Sequence, residues 1–146
     1  PYKTGTTLTL RDGMIGRVYV RFVTDAGIDE MQLSGIAVDK KAPTKTKIKV
    51  NRSGIKTLKT STKTSYNKKI KKSAKFVFSA SYGISGKSKT QYKIVPKGKK
   101  ASKYRWKTAN KITYKKKNKK VSIYARFIDK CGNITQRKSS GFYITK

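Results

Sequence analysis

The 146-residue sequence contains no histidine, a single cysteine and only six acidic residues. Without histidine, the chain lacks the side chain that most often serves as a general base and as a metal ligand. The scarcity of carboxylates also argues against a paired acid–base site and against a calcium site, which needs about six to eight oxygen ligands. The composition therefore predicts a protein that is not an enzyme, with no catalytic residues, metal site or cofactor.

Two further absences limit the architecture. One cysteine, Cys131, cannot form a disulfide within the chain. No run of about 18 apolar residues occurs, so the sequence predicts no membrane span. The chain opens at Pro1 within a strand pattern and lacks an initiator methionine, so we expect a fragment of a longer protein, in which a missing signal peptide carries no weight.

The positive charge is large and unevenly placed. Of the 38 lysines and arginines, 32 lie in residues 42–146, where Asp129 is the one carboxylate, whereas residues 1–41 are nearly neutral. Of these 32 basic residues, 28 are lysines, which act as hydrated point charges, while the forked arginine side chain pairs geometrically with phosphate. The excess of lysine over arginine predicts diffuse attraction to anionic polymers. Nucleic acid is a less favoured partner, since no nucleic-acid-binding motif is present.

Apolar and polar residues alternate with a period of two through most of the chain, and no segment has the pattern of an amphipathic helix. Short strands at intervals of about 8–12 residues are typical of a β-sandwich. A small barrel is the alternative, and it fits the polar 51–72 segment less well; we expect that segment to be a long loop or an addition at a sheet edge. The side chains expected in a shared core are Phe76, Phe78, Tyr92, Ile123, Ala125 and Phe127.

Two parts of the sequence resemble each other at a spacing of about 105 residues. Residues 18–23 align with 123–128, and residues 35–38 align with 141–144. A period of this length indicates an array of similar units. We therefore expect residues 1–41 to be the C-terminal part of a first module and residues 42–146 to be a complete second module. The strands expected in the first part are Thr7–Leu10, Arg17–Thr24 and Gly35–Asp39.

The partial module raises a packing problem. Three strands alone would expose Val18, Val20 and Phe22 together with an unpaired edge. We expect residues 1–41 to pack against the complete module or to pair with a partner molecule. Because Cys131 aligns with Ala26, we expect it to be a small buried residue rather than a reactive thiol.

Short motifs in residues 42–146 resemble the bacterial immunoglobulin-like repeats of secreted and surface-attached proteins. Such repeats open on Ala-Pro-Thr, as residues 42–44 do, and carry Asp-x-Ala-Gly-Asn in the last hairpin, where residues 129–133 read Asp-Lys-Cys-Gly-Asn. The resemblance covers 42–146 and the closing third of a module in 1–41. It implies an immunoglobulin-like β-sandwich in an extracellular or cell-surface protein, with neighbouring modules as partners and a non-enzymatic role as spacer or adhesion element. The loss of nearly all carboxylates and the 51–72 segment depart from the family pattern, and the ligand is left open.

Two lysine-rich segments are candidates for binding a polyanion. They are either solvated loops that keep sheet edges from pairing or a rim that binds an anionic polymer, because the charge far exceeds what solubility requires. The expected polymers are cell-wall teichoic acid, acidic polysaccharide or host glycans, and less readily nucleic acid. The candidate residues are Lys68, Lys69, Lys71, Lys72, Lys115, Lys116, Lys117, Lys119 and Lys120.

Two smaller features each allow two interpretations. Trp106, with Tyr104 and Arg105, is either an aromatic platform on which sugar rings or bases stack or a structural aromatic at the edge of the sandwich. Asp129 either accepts backbone hydrogen bonds in a turn, as aspartate often does, or acts as the catalytic carboxylate of an internal lysine–asparagine bond, as in some surface domains that this chain resembles. The structural interpretation is favoured for both.

Overall fold

The computed structural model describes residues 4–5, 7–51, 55–58 and 68–145. The described ranges are almost entirely β-structure, with a 3₁₀ turn at Ala101–Lys103 and no α-helix. None of their elements is a helix long and apolar enough to cross a bilayer. The strands are β1 (Ile15–Thr24), β2 (Gly27–Ala37), β3 (Thr44–Asn51), β4 (Ile55–Leu58), β5 (Lys68–Lys71), β6 (Ala74–Ser81), β7 (Lys87–Pro96), β8 (Lys107–Thr108), β9 (Lys111–Tyr114), β10 (Val121–Asp129), β11 (Ile134–Lys138) and β12 (Phe142–Thr145).

The strands after β2 form two sheets. A four-stranded sheet has the order β4-β3-β6-β9, and a six-stranded sheet has the order β5-β12-β10-β7-β8, with β11 also paired to β10. Neighbouring strands are antiparallel except for β5 and β12, which are parallel. The segment 51–72, which we expected to be a long loop or an addition at a sheet edge, thus contributes one edge strand to each sheet. Residues 52–54 and 59–67 lie outside the described residues.

The two sheets enclose one apolar core, because alternate side chains of each strand point to the same face. Phe76 of β6 lies against Phe142 of β12 with ring centres 5.0 Å apart, and Phe78 stacks on Tyr92 of β7 at 5.8 Å. Because the strands after β2 form two separate sheets that pack face to face through such contacts, the architecture is a sandwich and not a closed barrel. The predicted all-β sandwich is therefore confirmed, and so is its core: five of the six residues named above are buried, while Tyr92 is half-buried against them.

The sandwich has two distinct ends. Strand β10 runs from Val121 at one end to Asp129 at the other, a length of about 27 Å at about 3.4 Å per residue. Residues 38–43 form the linker between β2 and β3, and they contact the end near Asp129. The side chain of Asn133 donates a hydrogen bond to the Asp39 carbonyl at 2.6 Å, and the Thr135 hydroxyl donates one to the Pro43 carbonyl at 2.6 Å. We call this the junction end.

The expectations for residues 1–41 were only partly right. Strands β1 and β2 form a two-stranded antiparallel hairpin, but residues 7–10 are not a strand, because no described segment pairs with them. The register places Val18 opposite Leu33 and Val20 opposite Met31 on one face. Phe22 on this face is 51% exposed. Packing of this hairpin face against the complete module is therefore not borne out by the described residues, in which the side-chain hydrogen bonds that join the hairpin and linker to the module are accepted by Ala37, Asp39 and Pro43. Pairing with a partner molecule stays a prediction.

Candidate polyanion-binding site

The two lysine-rich segments chosen from the sequence meet at the same strand. Strand β5 pairs with β12 so that Ile70 lies opposite Ile144. On the other side of β12, Lys117 forms an isolated bridge with the same Ile144. Residues 68–71 and 115–120 therefore flank β12, two strand spacings or about 10 Å apart. The structure joins into one surface what the sequence presented as two separate basic turns.

A third lysine-rich segment, which sequence reasoning had not selected, joins this surface. The backbone N–H of Lys97 donates to the carbonyl of Lys120 at 2.9 Å, where β7 ends beside the start of β10. The signal was present as the sequence Lys-Gly-Lys-Lys at 97–100. Its position beside residues 115–120 follows only from the pairing of β7 with β10, which the local sequence does not reveal.

These three segments define the basic end of the sandwich, opposite the junction end. All the side chains assigned to it are exposed. Lys68 begins the same strand as Lys69. The residues of the basic end are Lys69, Lys71, Lys72, Lys97, Lys99, Lys100, Lys115, Lys116, Lys117, Lys119 and Lys120.

The part of the chain that forms the sandwich has one side-chain carboxylate, Asp129. Residues 42–128 and 130–146 contain neither aspartate nor glutamate. Asp129 lies at the junction end, about 27 Å from Val121 along β10. This distance is well beyond the Debye length of about 8 Å at physiological ionic strength. The lysines of the basic end therefore form a dense group of positive charge, which attracts anionic polymers.

The backbone of the basic end is ordered by hydrogen bonds to β12. Lys72 N–H donates to the Thr145 carbonyl at 3.0 Å, and Asn118 N–H donates to the Ile144 carbonyl at 2.8 Å. Both donors have left-handed backbone conformations, with φ of 61° and 55°. Asparagine adopts this conformation readily, whereas lysine does so at an energetic cost. Position 72 thus carries a lysine where glycine would fit more easily.

The aromatic platform differs from the expectation. Trp106 is half-buried, and the cations that lie over its ring are Lys93 and Arg126, at 4.5 and 4.6 Å from the ring centre, rather than Arg105. Arg105 is exposed, and Tyr104 is half-buried where its N–H closes the 3₁₀ turn at the Ala101 carbonyl. Cationic side chains of the same chain therefore lie over the indole ring on which a sugar or base would stack.

At the junction end, the geometry of Asp129 agrees with the turn interpretation. The Asp129 side chain accepts the backbone N–H of Asn133 at 2.8 Å and its side-chain amide at 2.8 Å. The one ion pair found in the described part of the chain is Arg21–Glu30, so no described lysine forms an ion pair with Asp129. The burial expected for Cys131 was wrong: the turn exposes the residue, and its Sγ lies 3.4 Å from the Ala37 carbonyl oxygen.

The described residues contain no group of three or more histidine, cysteine, aspartate or glutamate side chains that could hold a metal ion. Comparisons of the chain with family models, curated proteins and solved structures gave no match. The resemblance to immunoglobulin-like repeats accordingly rests on the short sequence motifs and on the β-sandwich architecture.

Proposed function

We propose that this chain is a non-enzymatic, immunoglobulin-like module of a bacterial surface or secreted protein, in which it serves as a spacer and adhesion element. In this proposal, adhesion is electrostatic: the basic end binds anionic polymers such as cell-wall teichoic acid or acidic polysaccharide. The observation that carries the proposal is the convergence of three lysine-rich segments at one end of the sandwich: two of them flank β12, and the third joins residues 115–120 at Lys120.

The strand order supports the immunoglobulin-like part of the proposal. In that fold, strands A, B and E share one sheet, and strands C, F and G share the other. Lettering β3, β6, β7, β9, β10 and β12 in chain order as A, B, C, E, F and G gives A-B-E in one sheet and C-F-G in the other. The strands β4 and β5 are then additions at the outer edges of these two sheets.

The hairpin supports a modular array. Val18, Val20 and Phe22 align with Ile123, Ala125 and Phe127, which are fully buried in the complete module. The same apolar face is half-buried to exposed in the hairpin. A neighbouring immunoglobulin-like module that supplies the missing sheet would cover it in the way that β6 covers β10.

Retention on a heparin column tests the polyanion part. Replacing Lys115, Lys116, Lys117, Lys119 and Lys120 with glutamine should lower the salt concentration at which the protein elutes. Each lysine–anion contact releases counterions, and log affinity falls by about 0.9 per tenfold rise in salt for each contact on duplex DNA. We therefore also expect a shallower dependence of affinity on salt in this variant.

A matched control separates site from total charge. The control variant replaces five exposed lysines near the junction end with glutamine, which changes the net charge by the same amount: Lys40, Lys45, Lys47, Lys89 and Lys130. Equal losses of heparin retention in both variants would mean that binding depends on total charge and not on the position of the lysines. Negligible retention of the unchanged protein at low salt would refute polyanion binding and leave the spacer role alone.

A further inference from the structure

A second set of basic residues lies on the outer face of the six-stranded sheet. The register places Tyr124 of β10 between Lys138 of β11 and Lys93 of β7. In the next row, Arg126 lies between Gln136 and Gln91. Because residues opposite each other in a sheet point to the same side, these cations, aromatic rings and amides form one surface.

Aromatic rings hold the cations of this surface in place. Lys138 Nζ lies 5.6 Å and Lys93 Nζ 5.9 Å from the centre of the Tyr124 ring. Lys93 and Arg126 also lie over Trp106, as described above. Such contacts are attractive because the face of an aromatic ring carries negative charge. The positions of these cations are thereby restricted.

Hydrogen bonds fix two of the cations further. Arg126 Nε donates to Gln91 Oε1 at 2.7 Å, and Lys93 Nζ donates to the Ala101 carbonyl at 2.7 Å. Both side chains are half-buried. No hydrogen bond from Arg126 Nη1 or Nη2 to a described residue is formed, so the two outer nitrogens of a held guanidinium remain as donors. A planar fork of this kind matches the two oxygens of a carboxylate or sulfate group, and its prior ordering reduces the entropy lost on binding.

We propose that Arg126, assisted by Lys93 and Lys138, binds a carboxylate or sulfate group of an acidic polysaccharide. This inference rests on the proposed function and specifies its ligand. Nucleic acid is disfavoured because binding of single strands depends on bases stacking on open aromatic faces, and here Lys93 and Arg126 lie over the indole ring. The surface therefore recognises the anionic substituents of a polymer rather than its rings.

The fork and the basic end lie on one path. Tyr124 is three residues from Val121 along β10, or about 10 Å. The loop that bears Lys97, Lys99 and Lys100 leads to Ala101, whose carbonyl accepts the bond from Lys93. A polysaccharide bound at the fork can continue over this loop to the basic end. Oligosaccharides long enough to reach both surfaces should consequently bind more tightly than short ones.

Trp106 provides the measurement, since it is the only tryptophan of the chain. Titration with size-defined heparin oligosaccharides and with oligogalacturonates should change its fluorescence. Arg126→Lys keeps the charge but removes the fork, and we expect it to weaken binding of these probes by about tenfold. Arg105→Lys, a change of the same chemistry at an exposed neighbouring position, should leave the affinity unchanged.

Each other outcome has a defined meaning. Equal affinity of Arg126→Lys and the unchanged protein, or no fluorescence change at saturation, overturns the proposal. Single-stranded DNA that binds more tightly than the oligosaccharides, with the same dependence on Arg126, assigns the fork to nucleic acid and also overturns it. Should Arg126→Lys unfold, Gln91→Ala takes its place as the test variant. It keeps the Arg126 guanidinium but removes the hydrogen bond that holds it. Unchanged affinity in that variant counts against the role of Arg126.

The two proposals fail separately. Replacing the five lysines of residues 115–120 with glutamine should reduce binding of long oligosaccharides while the Trp106 response to short ones remains. If the short oligosaccharides lose their response in that variant, the fork has no binding of its own. If long oligosaccharides bind equally well in that variant, the proposed binding at the basic end is refuted, while the proposed binding at Arg126 is unaffected.

Discussion

The carboxylate of Asp39 accepts the hydroxyl of Ser85 at 2.7 Å and thereby ties the linker to the complete module. The same oxygen accepts the backbone N–H of Ser85 at 3.3 Å, and the other oxygen accepts the N–H of Lys41 at 2.9 Å. Asp39 is 7% exposed. The Ser85 hydroxyl, followed by the Lys41 N–H, holds the pKa of Asp39 below that of an ordinary aspartate.

This contact predicts a pH dependence of stability. Since the folded-state pKa of Asp39 lies below the unfolded-state pKa of about 3.9, the carboxylate stabilises the fold above that value, and this contribution is lost as pH falls through the folded-state pKa. We expect Ser85→Ala to lower the melting temperature at pH 7 and to lower it much less near pH 2. Thermal unfolding followed by circular dichroism at both pH values measures this. Ser88→Ala, at an exposed serine of β7, is the control, and an equal shift at both pH values would contradict the prediction.

A glycine makes room for the same carboxylate. A Cβ atom added at Gly83 would lie 2.5 Å from Asp39 Oδ2. Because the hydrogen bonds from Ser85 hold this oxygen, Gly83→Ala must displace it, and we expect a loss of about 1–3 kcal/mol in the free energy of unfolding. Chemical denaturation measures the loss.

Removing the Asp39 carboxylate tests whether this contact is the reason for the loss. In an Asp39→Ala background the obstructing oxygen is absent, so adding Gly83→Ala should change stability far less than it does in the unchanged protein. Additive effects would show that Gly83 is required for another reason. Gly16→Ala, where an added Cβ meets no atom within 4 Å, provides a glycine-to-alanine control.

The sequence allowed the core to be predicted but not the functional surfaces. Phe76 and Ile123 could be assigned to the interior because each lies in a strand whose apolar residues alternate, and this pattern is local. The basic end depends on the parallel pairing of β5 with β12, which joins segments more than 70 residues apart. No local pattern specifies such a pairing. Likewise, Trp106 was recognised as important, but its cations come from β7 and β10 and not from adjacent positions.

Residues that align in the two similar segments differ in burial. Val20 and Ala125 occupy equivalent positions in aligned strands, yet Ala125 is fully buried and Val20 is half-buried. The difference arises because β10 lies between other strands and beneath β6, whereas the described strands offer β1 only β2 as a partner. Burial depends on what surrounds a strand, which its own sequence cannot specify.

The exposed hairpin predicts a large difference in amide exchange. An isolated two-stranded hairpin is marginally stable in water, whereas a central strand opens only with the whole domain. We expect amides of β1 that bond to β2 to exchange about a hundredfold or more faster than those of β10 in this chain. Hydrogen exchange measured at two protein concentrations tests this. Protection of β1 equal to that of β10 at both concentrations would contradict it, while protection that rises with concentration would identify a second copy as the partner.

Lys72 predicts a separation of stability from binding. Its left-handed backbone, with φ of 61°, favours glycine, while glycine also loses more entropy on folding, so the net gain is small. We expect Lys72→Gly to raise the free energy of unfolding by about 0.5 kcal/mol and to lower retention on heparin, because one cation of the basic end is lost. Asn118→Gly relieves a similar conformation, with φ of 55°, on the other side of β12 without changing charge. This control should leave retention unaltered. A Lys72→Gly variant with full retention would remove Lys72 from the binding surface, and loss of retention in Asn118→Gly would show that backbone order at this end, rather than charge, governs binding.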